Sequence, residues 1–351
     1  MGILYMILTQ TLRHRVEYIK IKNYLCFLLF FILCLLFIPS ASFSEIFKRN
    51  TILMGTDIEL IAYEENREIV NSAFDAAIKE IERIENEMSE WREGTPVSNI
   101  NKNAGKEAVV VPEELFKVIS AARKVSELSS GAFDISWACM RSLWKFGKGE
   151  ERVPFDGEIK QRLSLVNYKN IELNEKNKTV FLRKEGMSIG LGAIAKGYAV
   201  DMAMQAMVNL GVKNAIVKAG GDMRVQGAKD GKPWDIGIKH PRDKKKLLGK
   251  LNLSNISIST SGDYERYFIK DGVLYHHIMN PKTGYPATGC QSVTILAPDT
   301  MTSDALSTAV FVLGPEEGMK LIKSLHGIEG IIVDSNGQVH YSPGVERRVD
   351  N

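Results

Sequence analysis

Residues Ser188 to Asp201 read SIGLGAIAKGYAVD, and the parsing of this stretch decides the fold. An apolar strand end, Met187 to Ile189, runs into Gly190, Leu191, Gly192 and Ala193, then into a helical run whose first turn carries Lys196. The pattern predicts a strand, a tight glycine turn and a helix N-terminus. Such a terminus presents unpaired N–H groups and the positive end of the helix dipole, which suits a phosphate. Gly190, Gly192, Ala193 and Gly197 supply room for close approach, and Lys196 supplies a charge. The spacing is neither G-x-G-x-x-G nor a Walker loop. Taken alone, the stretch is better explained as a helix packed closely on a sheet through small residues.

Downstream, the helix is expected to reach about Leu210, where Gly211 caps it. Strands follow at Asn214 to Lys218 and Asp222 to Gly227 about a Gly220-Gly221 turn, where a backbone can pass close to a ligand. Another strand covers Trp234 to Lys239, and Lys244 to Lys246 reads as a solvated loop. Ile256 to Thr260 and Tyr264 to Ile269 read as strands around Ser261-Gly262-Asp263, with a turn at Asp271-Gly272. His276 and His277 then precede a Pro-Lys-Thr-Gly turn. Neighbours on a strand face opposite ways, so only one of the two histidines can serve a site, and a general base near neutral pH is the role histidine suits. Gln291 to Ala297 is a strand, and a helix from Asp304 to Leu313 ends at Gly314 and Pro315. Asp304 and Thr308 stand at i and i+4 and share one helical face. Hard oxygens of this kind, leaving places for phosphate oxygens, are what Mg²⁺ takes, while the alternative reading makes Asp304 a helix N-cap. Gly318 to Leu325 is a helix, and Gly330 to Val333 pairs with Gln338 to Tyr341 as a hairpin.

Upstream, Met54 to Tyr63 alternates as a strand, and Asn71 to Met88 has helical spacing. Ser89 to Gly105 is expected to be a loop, with Trp91 as a lining residue for a ligand or as plain surface. Pro112 to Leu128 is a second amphipathic helix, followed by Ala132, Phe133 and Asp134. Phe133 and Asp134 read either as a stacking and hydrogen-bonding grip on a heterocycle or as a turn carboxylate over a core phenylalanine.

A chain of 351 residues with 44% apolar and 25% charged residues is globular and not disordered. Of 45 basic and 42 acidic side chains, residues 1 to 44 hold four basic and one acidic, leaving 41 of each in the body. That balance argues against a nucleic-acid footprint. The N-terminus has basic residues up to Lys22, an apolar run from Tyr24 to Ile38 and a small-residue tail from Pro39 to Ser44, the order of a secretory signal or an uncleaved anchor. Cys34 follows Phe31, Ile32 and Leu33, which lack the small residue of a lipoprotein cleavage site. The body, residues 45–351, is therefore expected to be exported, either periplasmic or held at the outer face of the inner membrane. Only Cys139 and Cys290 remain in it, enough for one optional bridge.

MGT at Met54 to Thr56, GAFD at Gly131 to Asp134, GAIAKGYAVD around Ala193, AGGD at Ala219 to Asp222, TSGDYERYF at Thr260 to Phe268, HIMNPKTGYP at His277 to Pro286 and SDALSTAVFVLG at Ser303 to Gly314 fall in one order. That series resembles the FAD:protein FMN transferases, the ApbE-type family, over about residues 50 to 342. The resemblance implies an α+β fold of two joined parts with largely antiparallel sheets, and a cleft between them for FAD and Mg²⁺. It implies transfer of FMN to a Thr or Ser hydroxyl of an exported acceptor, such as a subunit of a redox-driven ion pump, with release of AMP. By the same resemblance Asp304 and Thr308, with Ser307 beside them and the backbone of Ala193, match metal ligands. Met54, Ala132, Phe133, Asp134, Gly190, Lys196 and Ile278 match FAD-binding positions, and His277 matches the residue that activates the acceptor. Gly190 and Asn280 depart from the family's usual Asp, which implies a weakened site at Gly190. A FAD pyrophosphatase and a non-catalytic flavin-binding protein are the alternative readings.

Overall fold

The computed structural model describes residues 2–36, 44–346 and 349–350, and internal contacts divide the chain into Met1–Phe43 and Ser44–Asn351. The first unit carries one helix, Gly2–Leu36, with apolar side chains such as Leu25, Phe27 and Phe30 exposed on it. Among the described residues no helix is long and apolar enough to cross a membrane. The end of the apolar run and the tail from Pro39 to Phe43 lie outside the described residues, as does the side chain of Cys34.

The second unit is built on an eight-stranded sheet whose strands lie side by side in chain order. They are Glu45–Leu53, Thr56–Glu64, Ala215–Ala219, Asp222–Gln226, Ile256–Gly262, Cys290–Ala297, Glu329–Asp334 and Val339–Tyr341, and every neighbouring pair is antiparallel. Successive residues of a strand face opposite ways, which separates two cores. Ala215, Val217, Val293, Ile295 and Ile332 join the main core, whereas Ile216, Leu296 and Ile331 join a second one on the other face. Three long helices, Arg67–Met88, Ala195–Asn209 and Thr300–Ser324, cover the first face. The second face is covered by the sheet of Trp234–Lys239, Leu247–Leu253 and Val349–Asp350. This is an α+β arrangement with dominantly antiparallel pairing.

Local chemistry explains the helices. Arg67–Met88 buries Val70, Ala73, Phe74, Ala77, Ile81, Ile84 and Met88, a stripe with helical period, and the Asn66 side chain caps it by accepting from Glu68 N and Ile69 N. Thr300–Ser324 is interrupted where Gly314 takes φ 83° and ψ 178° and Pro315 follows. Its N-cap is Asp299, which accepts from Thr302 N, so the N-cap alternative for Asp304 is set aside.

The structure departs from the sequence expectations at several points. Met187 to Ile189 is extended but pairs with no strand, because the Asn101 side chain takes both main-chain groups of Ile189, donating to its O (3.0 Å) and accepting from its N (2.7 Å). The segment 89–105 contains a helix, Pro96–Lys102, started by Thr95 accepting from Ser98 N. Strand structure in the hairpin begins at Tyr267 rather than Tyr264, since Asp263 is locked by a bidentate pair with Arg242 (2.7 and 2.6 Å) and the chain bends there. Strands at Glu45–Leu53 and Leu247–Leu253 were not anticipated. Cys139 and Cys290 are buried free thiols, so the optional bridge is not formed.

Candidate active site

The centre of the site is the crossing of helices Ala195–Asn209 and Thr300–Ser324. A Cβ on Gly197 would stand 2.3 Å from Thr300 O and 2.8 Å from Asp304 Cβ, so only glycine lets the two backbones approach this closely. The Asp201 carboxylate accepts from Thr300 N and Met301 N and ties the second helix's first turn to the first helix. Gly197 N belongs to a helix start whose cap, Ile194, has no acceptor, and it donates to Asp304 Oδ2 at 3.0 Å. The two readings of the glycine stretch therefore coexist: Gly197 is there for packing, and the packing delivers a carboxylate to the helix N-terminus.

Lys196 Nζ lies 2.6 Å from Asp222 Oδ2 and 3.4 Å from Asp304 Oδ2. Asp222 reaches it from the Gly220-Gly221 turn, which is itself held by close approach. A Cβ on Gly221 would meet Thr260 O at 2.6 Å, and one on Gly220, at φ 59°, would meet Thr56 Oγ1 at 2.6 Å. One ammonium thus serves two buried carboxylates, and the nearer is Asp222. Burial works against the Lys196 charge, but Asp222 and Asp304 overcome it and raise its pKa. Asp304 is left under-compensated: burial first, then Asp222, push its pKa up to about 7 against the opposing pull of Lys196 and Gly197 N–H.

A ladder of hydroxyls sets the register of this helix on the sheet. Ser257, Ser259 and Ser261 alternate along one strand and bond Thr300 (2.8 Å), Ser303 (2.7 Å) and Ser307 (2.8 Å). Ser307 also donates to Asp304 O (2.8 Å), so its buried hydroxyl is engaged in the ladder. Thr308 stands one turn beyond Asp304, half-buried, with its hydroxyl 3.3 Å from Ser261 Oγ. The Ala193 carbonyl accepts no hydrogen bond among the described residues. Asp304 and Thr308 are hard oxygen donors on one helical face beside a surplus negative charge, the donor type a small divalent cation takes, and the Ala193 carbonyl is a further oxygen of that kind. No group of three His, Cys, Asp or Glu suited to a metal occurs among the described residues.

The two histidines divide as the strand geometry requires. His276 is buried, with Nε2 2.8 Å from Ala287 O and Nδ1 accepting from Ile278 N (3.2 Å), so the proton resides on Nε2 and the ring is structural. His277 is open to solvent at the other face, and its main-chain N donates to Arg266 O (3.0 Å). The surrounding protein, then the charges of Arg266, His276 and Lys196, depress its pKa to about 4. Water reaches this ring and screens those charges, so the direction is the consequence that matters: His277 is neutral near pH 7 and able to take a proton.

The remaining expected positions differ in how far they are buried. Met54 is half-buried and adopts φ 52° ahead of Gly55, whose carbonyl accepts from Arg266 Nη2 at 3.3 Å. Ile278 is buried directly after His277. Ala132 and Phe133 are also buried, at 3% and 2% exposure, so stacking by the Phe133 ring is corrected to a core role. Asp134 accepts from Ser136 N (2.8 Å), Ser136 Oγ (2.6 Å) and Tyr168 N (2.7 Å), the turn-carboxylate reading. Gly190 N donates to Ile135 O (3.0 Å), which docks the glycine turn on that loop. A Cβ at Gly190 would meet Arg141 Nη2 at 2.5 Å, Ala138 Cβ at 3.1 Å and Glu90 Oε1 at 3.1 Å. Glu90 pairs with Arg141 (2.6 Å), and Trp91 lies under the guanidinium at 4.5 Å. A carboxylate, from Glu90, thus already stands beside Gly190. Asp222, Arg266 and Glu90 were not singled out as site residues from the sequence, although Asp222 and Arg266 lie inside two of the quoted motifs.

Residues 54–332 match the model of the ApbE family. A FAD:protein FMN transferase of Klebsiella pneumoniae is 32% identical over 84% of this chain and 92% of its own length. One from Treponema pallidum is 31% identical over 86% of this chain and 88% of its own. Among solved structures, the ApbE protein of Thermotoga maritima superposes with a TM-score of 0.80 at 37% identity, covering 88% of this chain and all of that one. The flavin transferase ApbE of Vibrio cholerae superposes with a TM-score of 0.77 at 26% identity, covering 87% and 99%.

Proposed function

The chain belongs to the ApbE family and is a transferase that takes FMN from FAD, and from that premise we propose that it attaches FMN to a Thr or Ser hydroxyl of an exported acceptor protein and releases AMP in a Mg²⁺-dependent reaction. The observation that carries this reading is the buried contact of Lys196 with Asp304, together with an open, neutral His277 whose charged form Lys196 disfavours. The cation, bound by Asp304, Thr308 and the Ala193 carbonyl, would neutralise diphosphate charge.

The chain's own residues account for the rest. His277 accepts the proton of the incoming hydroxyl as its oxygen bonds to the FMN-side phosphorus. The bond from that phosphorus to the bridging oxygen breaks, and AMP leaves with the electron pair. Lys196 and the N-terminus of helix Ala195–Asn209 hold Asp222 and Asp304 and, with a cation bound there, would offset the negative charge that grows on the phosphoryl oxygens. Export, with the N-terminal segment as signal or anchor and the body outside the inner membrane, is supported by the order of basic, apolar and small residues before Glu45. The reading is tested by incubating the chain with FAD, Mg²⁺ and an exported protein bearing a flavin-accepting Thr. The acceptor should gain the mass of FMN less water, its Thr→Ala version should not, and labelling of both would sink the hydroxyl assignment.

A further inference from the structure

We infer that Arg266 is a further catalytic residue of this site, one whose guanidinium binds the FMN-side phosphate and stabilises its charge as the acceptor attacks. The inference rests on the transferase reading and adds a residue to it.

Arg266 sits at the base of the hairpin formed by Tyr267–Lys270 and Val273–His276, whose first pair is Tyr267 with His276. It therefore lies across from His277, and its carbonyl receives the His277 N–H at 3.0 Å. Its side chain extends to the Met54-Gly55 turn, where Nη2 donates to Gly55 O at 3.3 Å. That single bond aims the guanidinium and leaves most of its five N–H donors uncommitted. Among the described residues Arg266 forms no ion pair, whereas Arg83, Arg141 and Arg242 all hold carboxylates. It is also exposed, so an anion can reach it without displacing a buried partner. An arginine kept only as a surface strut would not need this placement between the proposed base and a turn whose Met54 is held at positive φ.

The chemistry suits the position. A guanidinium fork matches the non-bridging oxygens of a phosphoryl group, and charge on those oxygens changes most during transfer. The same cation, beside His277 and acting together with Lys196, favours the neutral imidazole that takes the proton.

The test uses the full chain with FAD, Mg²⁺ and acceptor, comparing wild type with Arg266→Gln and Arg266→Lys. At saturating FAD, Arg266→Gln should lower the transfer rate by roughly a hundredfold, the scale of one lost oxyanion donor. Arg266→Lys should keep part of the rate, and the acid limb of the rate profile should move to higher pH in Arg266→Gln as His277 loses the cation that most disfavours its charged form. Equal rates for wild type and Arg266→Gln would overturn the inference. So would equal losses in both variants with an unmoved acid limb and a lowered melting temperature, which would make Arg266 a strut for the Gly55 turn. Absence of transfer by wild type would instead overturn the underlying reading.

Discussion

Asp304→Asn offers a test in which the usual expectation for losing a charged active-site residue is reversed. The Asp304 carboxyl is buried, and its pKa is raised from 3.8 to about 7. A carboxyl whose folded pKa lies above its unfolded value binds its proton more tightly in the fold. The associated stability is present below about pH 4 and is lost as pH rises through about 7. At pH 8 without metal the ionised carboxylate therefore costs the fold up to ~4 kcal/mol, an upper bound because Lys196 relaxes toward it. Asparagine keeps an oxygen for Gly197 N–H and removes the charge. In EDTA at pH 8 the variant should melt several degrees above wild type, at about 2–4 °C per kcal/mol for a domain of this size. The gap should narrow from pH 7 toward pH 4. Mg²⁺ should raise the wild-type melting temperature at pH 8 and leave the variant unmoved, and the variant should transfer no FMN. Thermal melts across pH, with and without Mg²⁺, measure all of this. A variant that melts below wild type at pH 8 in EDTA, or that Mg²⁺ stabilises as much as wild type, would refute the assignment of Asp304 as an under-compensated cation ligand.

His277→Ala should retain FAD yet transfer about a hundredfold more slowly or worse. His276→Ala should instead lose about 1–3 kcal/mol of stability by stranding Ala287 O and Ile278 N; the opposite pattern in rates and melts would show that the base is His276. Gly197→Ala places a Cβ 2.3 Å from a backbone oxygen, so both melting temperature and transfer should fall, and a wild-type-like variant would disprove the close helix crossing. Gly190→Asp should weaken FAD binding, measured by flavin fluorescence titration, because the new side chain displaces Arg141 and sets a carboxylate against Glu90. Tighter binding would instead restore the view that Gly190 marks a weakened site.

Much of this site was legible because its residues travel in short motifs with strong local reasons. Gly197 and Gly221 each mark a point where two backbones touch and Gly220 one where the backbone meets the Thr56 side chain, and the side chains beside them, Lys196 and Asp222, are what those contacts bring together. Helical spacing put Asp304 and Thr308 on one face but left Asp304 open to an N-cap reading, and their ligand role came from the resemblance. Phe133 was not legible, because periodicity reports that a ring is apolar and not which side of the chain water occupies. The surroundings of Gly190 were not legible for a related reason: its neighbours Arg141 and Glu90 come from distant segments, and no local pattern announces them. In the fold, the strand Glu45–Leu53 has no fully buried residue and carries Lys48 and Arg49, so its alternation is diluted at the sheet edge. Met187 to Ile189 erred the other way, since an apolar alternating segment was satisfied by one asparagine side chain instead of a neighbouring strand.

The ratio of AMP released to acceptor flavinylated, measured on one reaction mixture with FAD and Mg²⁺, tests the central claim most directly. Direct attack by the acceptor hydroxyl predicts one AMP for each FMN attached, and little AMP when the acceptor is left out. AMP formed without acceptor at the same rate would make the chain a FAD pyrophosphatase, and FAD held intact with neither product would make it a flavin-binding protein.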